Sequence, residues 1–410
     1  MSGQLPAGWQ TRRLGDLAVE GPTNGYSGPT APNAEGTPTL RLSATTGGSL
    51  ILNASTTKRL AEKIPPESDL WLHPGDLLVQ RSNTPGLVGT AAVYDGPPAT
   101  YVYPDLMMRL RLADPATTAW VCRYMNGPGG RRFFSSMAAG SSGSMPKISG
   151  AKLRDMVVPL PPLPEQRRLA AILDEADALR RKRREALALL DDLLQSVFRA
   201  TVGDANPRHR SWPERTIETL AAPGGMRTGP FGSALLHSEF VDDGVAVLGI
   251  DNAVQNRFTW AERRFVTYAK YQGLKRYRVY AGDVVVTIMG TTGRAAVVPP
   301  DVPLAITTKH LAAITPNLDV VLPQYLANAI HRDADILRQI ANRNRGAIMD
   351  GLNLGIIRGL VIRLPPLDEQ RKYTAAVESI ETERLRHEVA LAAAEALFAS
   401  LLHRAFSGGL

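Results

Sequence analysis

Leu160-Pro161-Pro162-Leu163-Pro164-Glu165-Gln166-Arg167 returns as Leu364-Pro365-Pro366-Leu367-Asp368-Glu369-Gln370-Arg371, 204 residues downstream in a chain of 410. Each copy closes a domain-sized block and opens a stretch with helical character. The two prolines bar helix upstream, Pro164 suits a first helical position, and Glu165 favours the positive end of the helix dipole. In the second copy Asp368 replaces Pro164 and is expected to act as an N-cap. The chain therefore reads as one unit written twice.

The repeat extends outward from these segments. Trp9 through Leu17-Ala18 aligns with Trp212 through Leu220-Ala221, and Gly75-Asp76-Leu77-Leu78-Val79 aligns with Gly282-Asp283-Val284-Val285-Val286. Lys152 through Leu160 aligns with Ile357 through Leu364. Each Gly-Asp followed by an apolar run predicts a turn entering a buried strand. The Gly-, Pro-, Ser- and Asn-rich stretches between such runs predict a loop-rich mixed α and β block. Shared ends with divergent middles imply one scaffold carrying two different surfaces.

Downstream of each Leu-Pro-Pro-Leu the pattern predicts long helices. Leu169, Ile172, Ala176, Leu179, Ala186, Leu190, Leu193 and Val197 recur at spacings of three and four, with Arg183 falling in the same register. Val377, Ile380, Leu391, Ala394, Phe398 and Leu401 do the same in the second copy. Such a stripe wants a partner helix, and the other copy is the obvious one. Leu169, Ile172, Leu179, Arg183, Leu190, Val377, Ile380 and Phe398 are the candidate partner contacts. A helix of this length spans about 55 Å at ~1.5 Å per residue. Gly203 and Gly408-Gly409 provide its stops.

Composition narrows the function. Hydrophobic residues make up 44% and charged residues 21%, as in an ordinary globular protein. No signal-peptide core opens the sequence and no run of about 20 apolar residues is evident, so a cytoplasmic location is expected. Cys122 is the single cysteine and is expected to be a buried small hydrophobe. The net charge is +8, and the surplus lies in the blocks rather than the helices. Residues 1–163 carry 15 Lys/Arg against 11 Asp/Glu, and residues 201–367 carry 19 against 14. A polyanion is the partner such blocks suit.

Familiar catalytic signatures are missing. There is no Asp-Pro-Pro-Tyr or Asn-Pro-Pro-aromatic segment and no Gly-Lys dipeptide of a P-loop. None of the nine lysines follows Asp or Glu by two residues, which argues against a common nuclease core. The seven histidines lack zinc-ligand spacing. The chain reads as a binder without a catalytic or metal site. A nuclease with an unfamiliar site, or a coiled-coil scaffold that binds proteins, stays open on residues alone.

Polar, Gly-containing loops at strand ends are the candidate DNA contacts, because backbone N–H groups and hydroxyls meet phosphates while Arg and Asn read base edges. Arg81, Ser82 and Asn83 follow the first Gly-Asp strand, and Thr291, Thr292 and Arg294 follow the second. A later pair of loops offers Ser142 and Lys147 in the first block, Arg343 and Arg345 in the second. Arg227 and Ser233 flank Gly229-Pro230-Phe231-Gly232, a segment that lets backbone approach a ligand. Arg180-Arg181-Lys182-Arg183-Arg184 crosses every face of the first helix and is read mainly as a solvated charge run.

Pro164 through Arg180 strongly resembles the central helix of specificity subunits of Type I restriction–modification systems. Gly229-Pro230-Phe231-Gly232-Ser233 and Met289-Gly290-Thr291-Thr292-Gly293 resemble further family patterns, whereas Lys372-Tyr373-Thr374 departs from Arg168-Leu169-Ala170 of the first helix. The resemblance implies an α+β fold: two mixed α/β target-recognition domains in pseudo-two-fold repeat, separated by two long antiparallel coiled-coil helices. The boundaries expected are 1–163 and 204–367 for the domains, 164–203 and 368–410 for the helices. It further implies that each domain reads half of a bipartite, asymmetric double-stranded DNA site while the helices set the gap. Two modification (methyltransferase) subunits and restriction (translocase/nuclease) subunits would be the protein partners. S-adenosylmethionine, ATP and Mg would belong to those partners, leaving no cofactor in this chain.

Overall fold

Gly75 and Gly282 adopt left-handed backbone, with φ of 97° and 83°, which explains why each turn begins with glycine. The following aspartates close these turns: Asp76 accepts from the His73 N–H and Asp283 from the Tyr280 N–H, both at 2.8 Å. The chain then enters a fully buried strand, as the apolar runs predict. The computed structural model describes residues 6–31, 35–138, 145–260, 262–344 and 351–410.

The chain divides into two units, Met1–Arg183 with Ala390–Leu410, and Arg184–Val389. These differ from the expected domain boundaries because each long helix, Leu163–Thr201 and Leu367–Ser407, contributes a segment to both units.

In the first unit the strands are β1 (Gln10–Arg13), β2 (Ala18–Asn24), β3 (Thr37–Leu40), β4 (Thr57–Leu60), β5 (Leu77–Gln80), β6 (Ala91–Val93), β7 (Met107–Leu112) and β8 (Val157–Leu160). An antiparallel sheet of order β2-β7-β5-β6 forms the centre, with β1-β8 and β3-β4 pairs beside it. Leu77 and Val79 of β5 face the helix Pro115–Asn126, packing in the cluster that holds Trp120, Val121 and Met125. Leu78 joins Leu40, Tyr94 and Tyr103 on the other face. A strand covered on both faces reads as a continuous apolar run rather than an alternation.

The second unit repeats this order. Its strands are β9 (Glu214–Thr216), β10 (Ala221–Thr228), β11 (Val245–Leu248), β12 (Phe265–Val266), β13 (Arg278–Val279), β14 (Val284–Thr287), β15 (Ala295–Val297), β16 (Ala305–Thr307), β17 (Leu311–Pro316) and β18 (Val361–Arg363). The sheet β10-β17-β14-β15 matches β2-β7-β5-β6, and β9-β18 matches β1-β8. A further sheet, β12-β11-β16-β13, enlarges the part that the first unit builds from β3, β4 and a parallel bridge between Thr39 and Val102.

The joints are held by their glutamines. Gln166 donates to the Pro161 carbonyl and Gln370 to the Pro365 carbonyl, each at 2.8 Å, with both side chains buried. Gln370 also accepts from the Leu322 N–H at 2.8 Å and donates to the Val320 carbonyl at 3.0 Å. Asp368 is not the N-cap: the helix begins at Leu367, and Asp368 sits in its first turn and pairs with Arg371 at 2.7 Å.

Within the first unit the start of one long helix lies beside the end of the other in opposite directions. Leu169 and Leu173 share a cluster with Ala405, and further along the Arg180 guanidinium stacks 3.7 Å from the Phe398 ring centroid. Trp120 packs on Phe406 at 4.5 Å and on Trp9 at 5.6 Å. Within the second unit Phe198 meets Tyr373 at 5.6 Å, and Asp191 pairs with the buried Arg384. Leu169, Val377 and Ile380 are core residues of their own units. The buried register also runs one residue later than the stripe expected in places. Leu173, Leu194 and Phe198 are buried, Ile172 and Val197 are half-buried, and Leu179 and Leu193 are exposed at 41% and 44%. Arg183 and Leu190 lie at half-buried positions of the same face.

Among the described residues one helix, Leu367–Ser407, is long and apolar enough over one stretch to cross a bilayer by length and composition. The end of that helix joins the first unit's core through Phe398, Leu401, Leu402 and Ala405. Cys122 is buried, and burial pushes its thiol up to about 11.

Candidate nucleic-acid interface

The loop after β5 and the segment before β8 come together in the first unit. The Arg81 N–H donates to the Leu106 carbonyl at 2.8 Å, the Ile148 N–H donates to the Arg81 carbonyl at 2.9 Å, and Ser82 bridges Lys147. The second unit uses the same pattern: Ile288 N–H to His310 carbonyl at 2.9 Å, Leu352 N–H to Ile288 carbonyl at 2.8 Å, and a Met289–Gly351 bridge. Backbone pairing thus fuses the two loops of each unit into one surface.

The side chains divide into available and committed groups. Lys147 is exposed. Arg81 is partly buried, with Nε lacking a hydrogen-bond partner. Ser82 is only 1% exposed, and its hydroxyl has no hydrogen-bond partner. Asn83 is engaged locally, donating to Gln80 at 2.6 Å and accepting from the Thr84 N–H at 2.7 Å. Ser142 and Arg345 lie outside the described residues.

In the second unit Gly290 and Gly293 have φ of 75° and 78°, shaping a tight loop that leaves Thr291 and Arg294 exposed and Thr292 partly so. Thr287 anchors it, its hydroxyl donating to the Thr291 carbonyl and accepting from the Arg294 N–H at 3.0 Å. Ser233 is exposed in a short 3-10 turn beside the exposed Phe231.

Two arginines are committed elsewhere. Arg227 donates to the Arg278 carbonyl at 2.6 Å and to Thr315 at 2.9 Å, and it pairs with the buried carboxylate of Asp283. Burial pushes the Asp283 carboxyl up, and the Arg227 charge opposes that shift. Arg343 donates to the Ile356 and Gly359 carbonyls at 3.2 and 3.4 Å, closing the end of the short helix Leu354–Arg358. Both therefore have structural partners within the unit. Their positions in turn-rich sequence gave no sign of these acceptors.

Among the described residues no group of three His, Cys, Asp or Glu side chains is placed to hold a metal ion. What the geometry offers is two loop surfaces on equivalent frames with different side chains, Arg81 and Lys147 on the first, Thr291, Thr292 and Arg294 on the second. That defines a duplicated protein built on two mixed α/β units and two long helices.

No family model matches the chain. It is 23% identical over 369 residues to the Type I restriction enzyme EcoBI specificity subunit of Escherichia coli, covering 78% of this chain and 77% of that one. In structure it is similar to the Type I restriction–modification S subunit from M. genitalium, with a TM-score of 0.56, 12% identity and 99% of both chains covered. A chain from a type I R-M system, solved to describe complex assembly and conformational transition, gives a TM-score of 0.54 at 19% identity, covering 99% of this chain and all of that one. In sequence and in fold, then, the chain is similar to specificity subunits of Type I restriction–modification systems.

Proposed function

We propose that this chain is the sequence-specific DNA-binding, non-catalytic subunit of a Type I restriction–modification complex in the cytoplasm. Each unit reads one half of a bipartite, asymmetric site in double-stranded DNA. The long helices pair as an antiparallel coiled coil, set the gap between half-sites, and dock two modification subunits. Restriction subunits complete the assembly. S-adenosylmethionine for adenine N6-methylation, and ATP and Mg for translocation and cleavage, are held by those partners.

One observation carries this reading: two units share a strand order yet present different side chains at equivalent strand ends. Equal frames give equal docking on duplex DNA, and unequal side chains give unequal half-sites. The positive surplus of the two blocks supports the DNA partner, since phosphate contacts supply much of the affinity and make it salt-dependent.

The chain co-expressed with its modification subunits should yield a two-part, non-palindromic motif when methylated adenines are mapped across the host genome. A continuous or palindromic motif, or cleavage or methylation by this chain alone, overturns the reading.

A further inference from the structure

The second unit carries a lip formed by β11 and β16, which run parallel with Leu248 opposite Thr307. Their carboxyl ends open side by side into Gly249-Ile250-Asp251 and Thr308-Lys309-His310, tied by a 3.0 Å bond from the Thr308 N–H to the Leu248 carbonyl. Gly229 packs here backbone to backbone, and a Cβ at that position would overlap Thr308. A Cβ at Gly249 would stand 2.6 Å from the Asp251 carboxylate and 2.7 Å from the Arg264 guanidinium. At Gly229, where the neighbour is backbone, only glycine permits such approach, and the result is a dense crest of polar side chains.

Asp251, Arg264, Thr308 and His310 are all partly buried, and Lys309 is exposed at the rim. Asp251 pairs with Arg264. Yet each of the four retains one buried atom without a hydrogen-bond partner: Asp251 Oδ2, Arg264 Nε, Thr308 Oγ1 and His310 Nδ1. Native proteins leave few such groups, and four at one strand end point to a ligand that supplies the partners. Burial, then Lys309 and Arg264, push the His310 imidazole down, so its neutral ring offers one donor and one acceptor.

The chemistry of the set selects the ligand. A phosphate only accepts hydrogen bonds and is repelled by Asp251. A base-pair edge in the major groove presents both donors and acceptors, which a carboxylate, a guanidinium, a hydroxyl and an imidazole can match together. The first unit has the same frame with other side chains. The paired backbone bonds make Leu106 the counterpart of His310, and so Asp105 that of Lys309 and Pro104 that of Thr308. There Ser27 donates to Asp105 at 2.5 Å and Tyr26 to Glu62 at 2.6 Å.

We propose that Asp251, Arg264, Thr308 and His310, with Lys309 at the rim, form the base-reading patch through which the second unit recognises its half of the DNA site. This rests on the function proposed above and assigns residues to it.

The test uses the chain assembled with its modification subunits, carrying Thr308→Val or His310→Gln, with methylated adenines mapped in the host genome. Discrimination should fall roughly 10-fold or more at one or more base pairs of a single half-site, leaving the other half-site and the gap unchanged. An unchanged motif in both variants overturns the assignment. If a variant methylates too little to map, its binding is measured on the wild-type site and on duplexes substituted at each base pair. Equal weakening on all of them overturns the assignment, whereas lost preference at particular base pairs supports it. Failure of the wild-type complex to yield a bipartite motif would instead sink the underlying function.

Discussion

Asp283 and Arg227 form an ion pair across β17, joining the turn before β14 to the edge strand β10. Thr315 on β17 donates to the same carboxylate at 2.6 Å. In the first unit the equivalent Asp76 is met instead by Arg111, at 2.7 Å, from β7. Strand register makes Arg111 the counterpart of Thr315, so the cation has moved one strand sideways while the buried carboxylate has stayed. Replacing Arg227 with Met should cost roughly 3–5 kcal/mol, as expected when one partner of a buried pair is removed. Adding Asp283→Asn should recover part of the loss. Urea unfolding of both variants checks this, and a loss below about 1 kcal/mol for the single variant counts against it.

His331, in the last turn of the helix Pro323–Arg332, gives a pH dependence. Burial first, then the Arg332 charge, push its imidazole down from 6.5 to about 3. The unfolded chain takes up a proton near 6.5 that the folded chain refuses until about 3. The stability linked to this group is therefore complete above pH 6.5 and is lost as pH falls from there towards 3. Between those limits the loss is about 1.4 kcal/mol per pH unit. His331→Leu should flatten that slope by the same amount, read from unfolding midpoints at pH 7 and pH 5. Parallel curves for the two proteins would refute it.

The two joint glutamines should not be equivalent. Gln370 makes three hydrogen bonds, whereas the buried Gln166 Oε1 has no partner. Gln370→Leu strands the Leu322 N–H and two carbonyls and should cost about 2–3 kcal/mol, with Gln166→Leu nearer 1. Thermal melts of the two variants rank them, and the opposite order would contradict the geometry.

The helix register is tested by neighbours on one face and the next. Leu173→Ala should cost about 2–5 kcal/mol as a core truncation, and Leu179→Ala under about 0.5 as a surface change. Comparable losses at both positions would mean that the seam lies elsewhere.

How far these features could be read in advance depended on whether local chemistry determined them. The Gly-Asp strands and the proline joints were legible because a left-handed turn and a helix start each demand particular residue types. The seam was not, because its apolar residues come in pairs, Ile172-Leu173, Leu193-Leu194 and Val197-Phe198, which fit two registers one residue apart. Tertiary neighbours choose between them, and Arg180 occupies a seam position by stacking on Phe398. The engagement of Arg227 was not legible for a similar reason: its acceptor, Asp283, lies 56 residues away in sequence. The β11–β16 lip was not legible because no local sequence pattern joins Asp251 to His310.

The division of the helices between units has a consequence for synthesis. The second unit is a single continuous span, Arg184–Val389, while the first is completed only by Ala390–Leu410. As the chain emerges from the ribosome, the part made first must wait for the part made last. The second unit can close while Trp120 and Leu173 still lack Ala405 and Phe406. Nascent chains would then expose the apolar cluster of the first unit for most of their synthesis, and C-terminal nicking would injure the core of the first unit rather than that of the second.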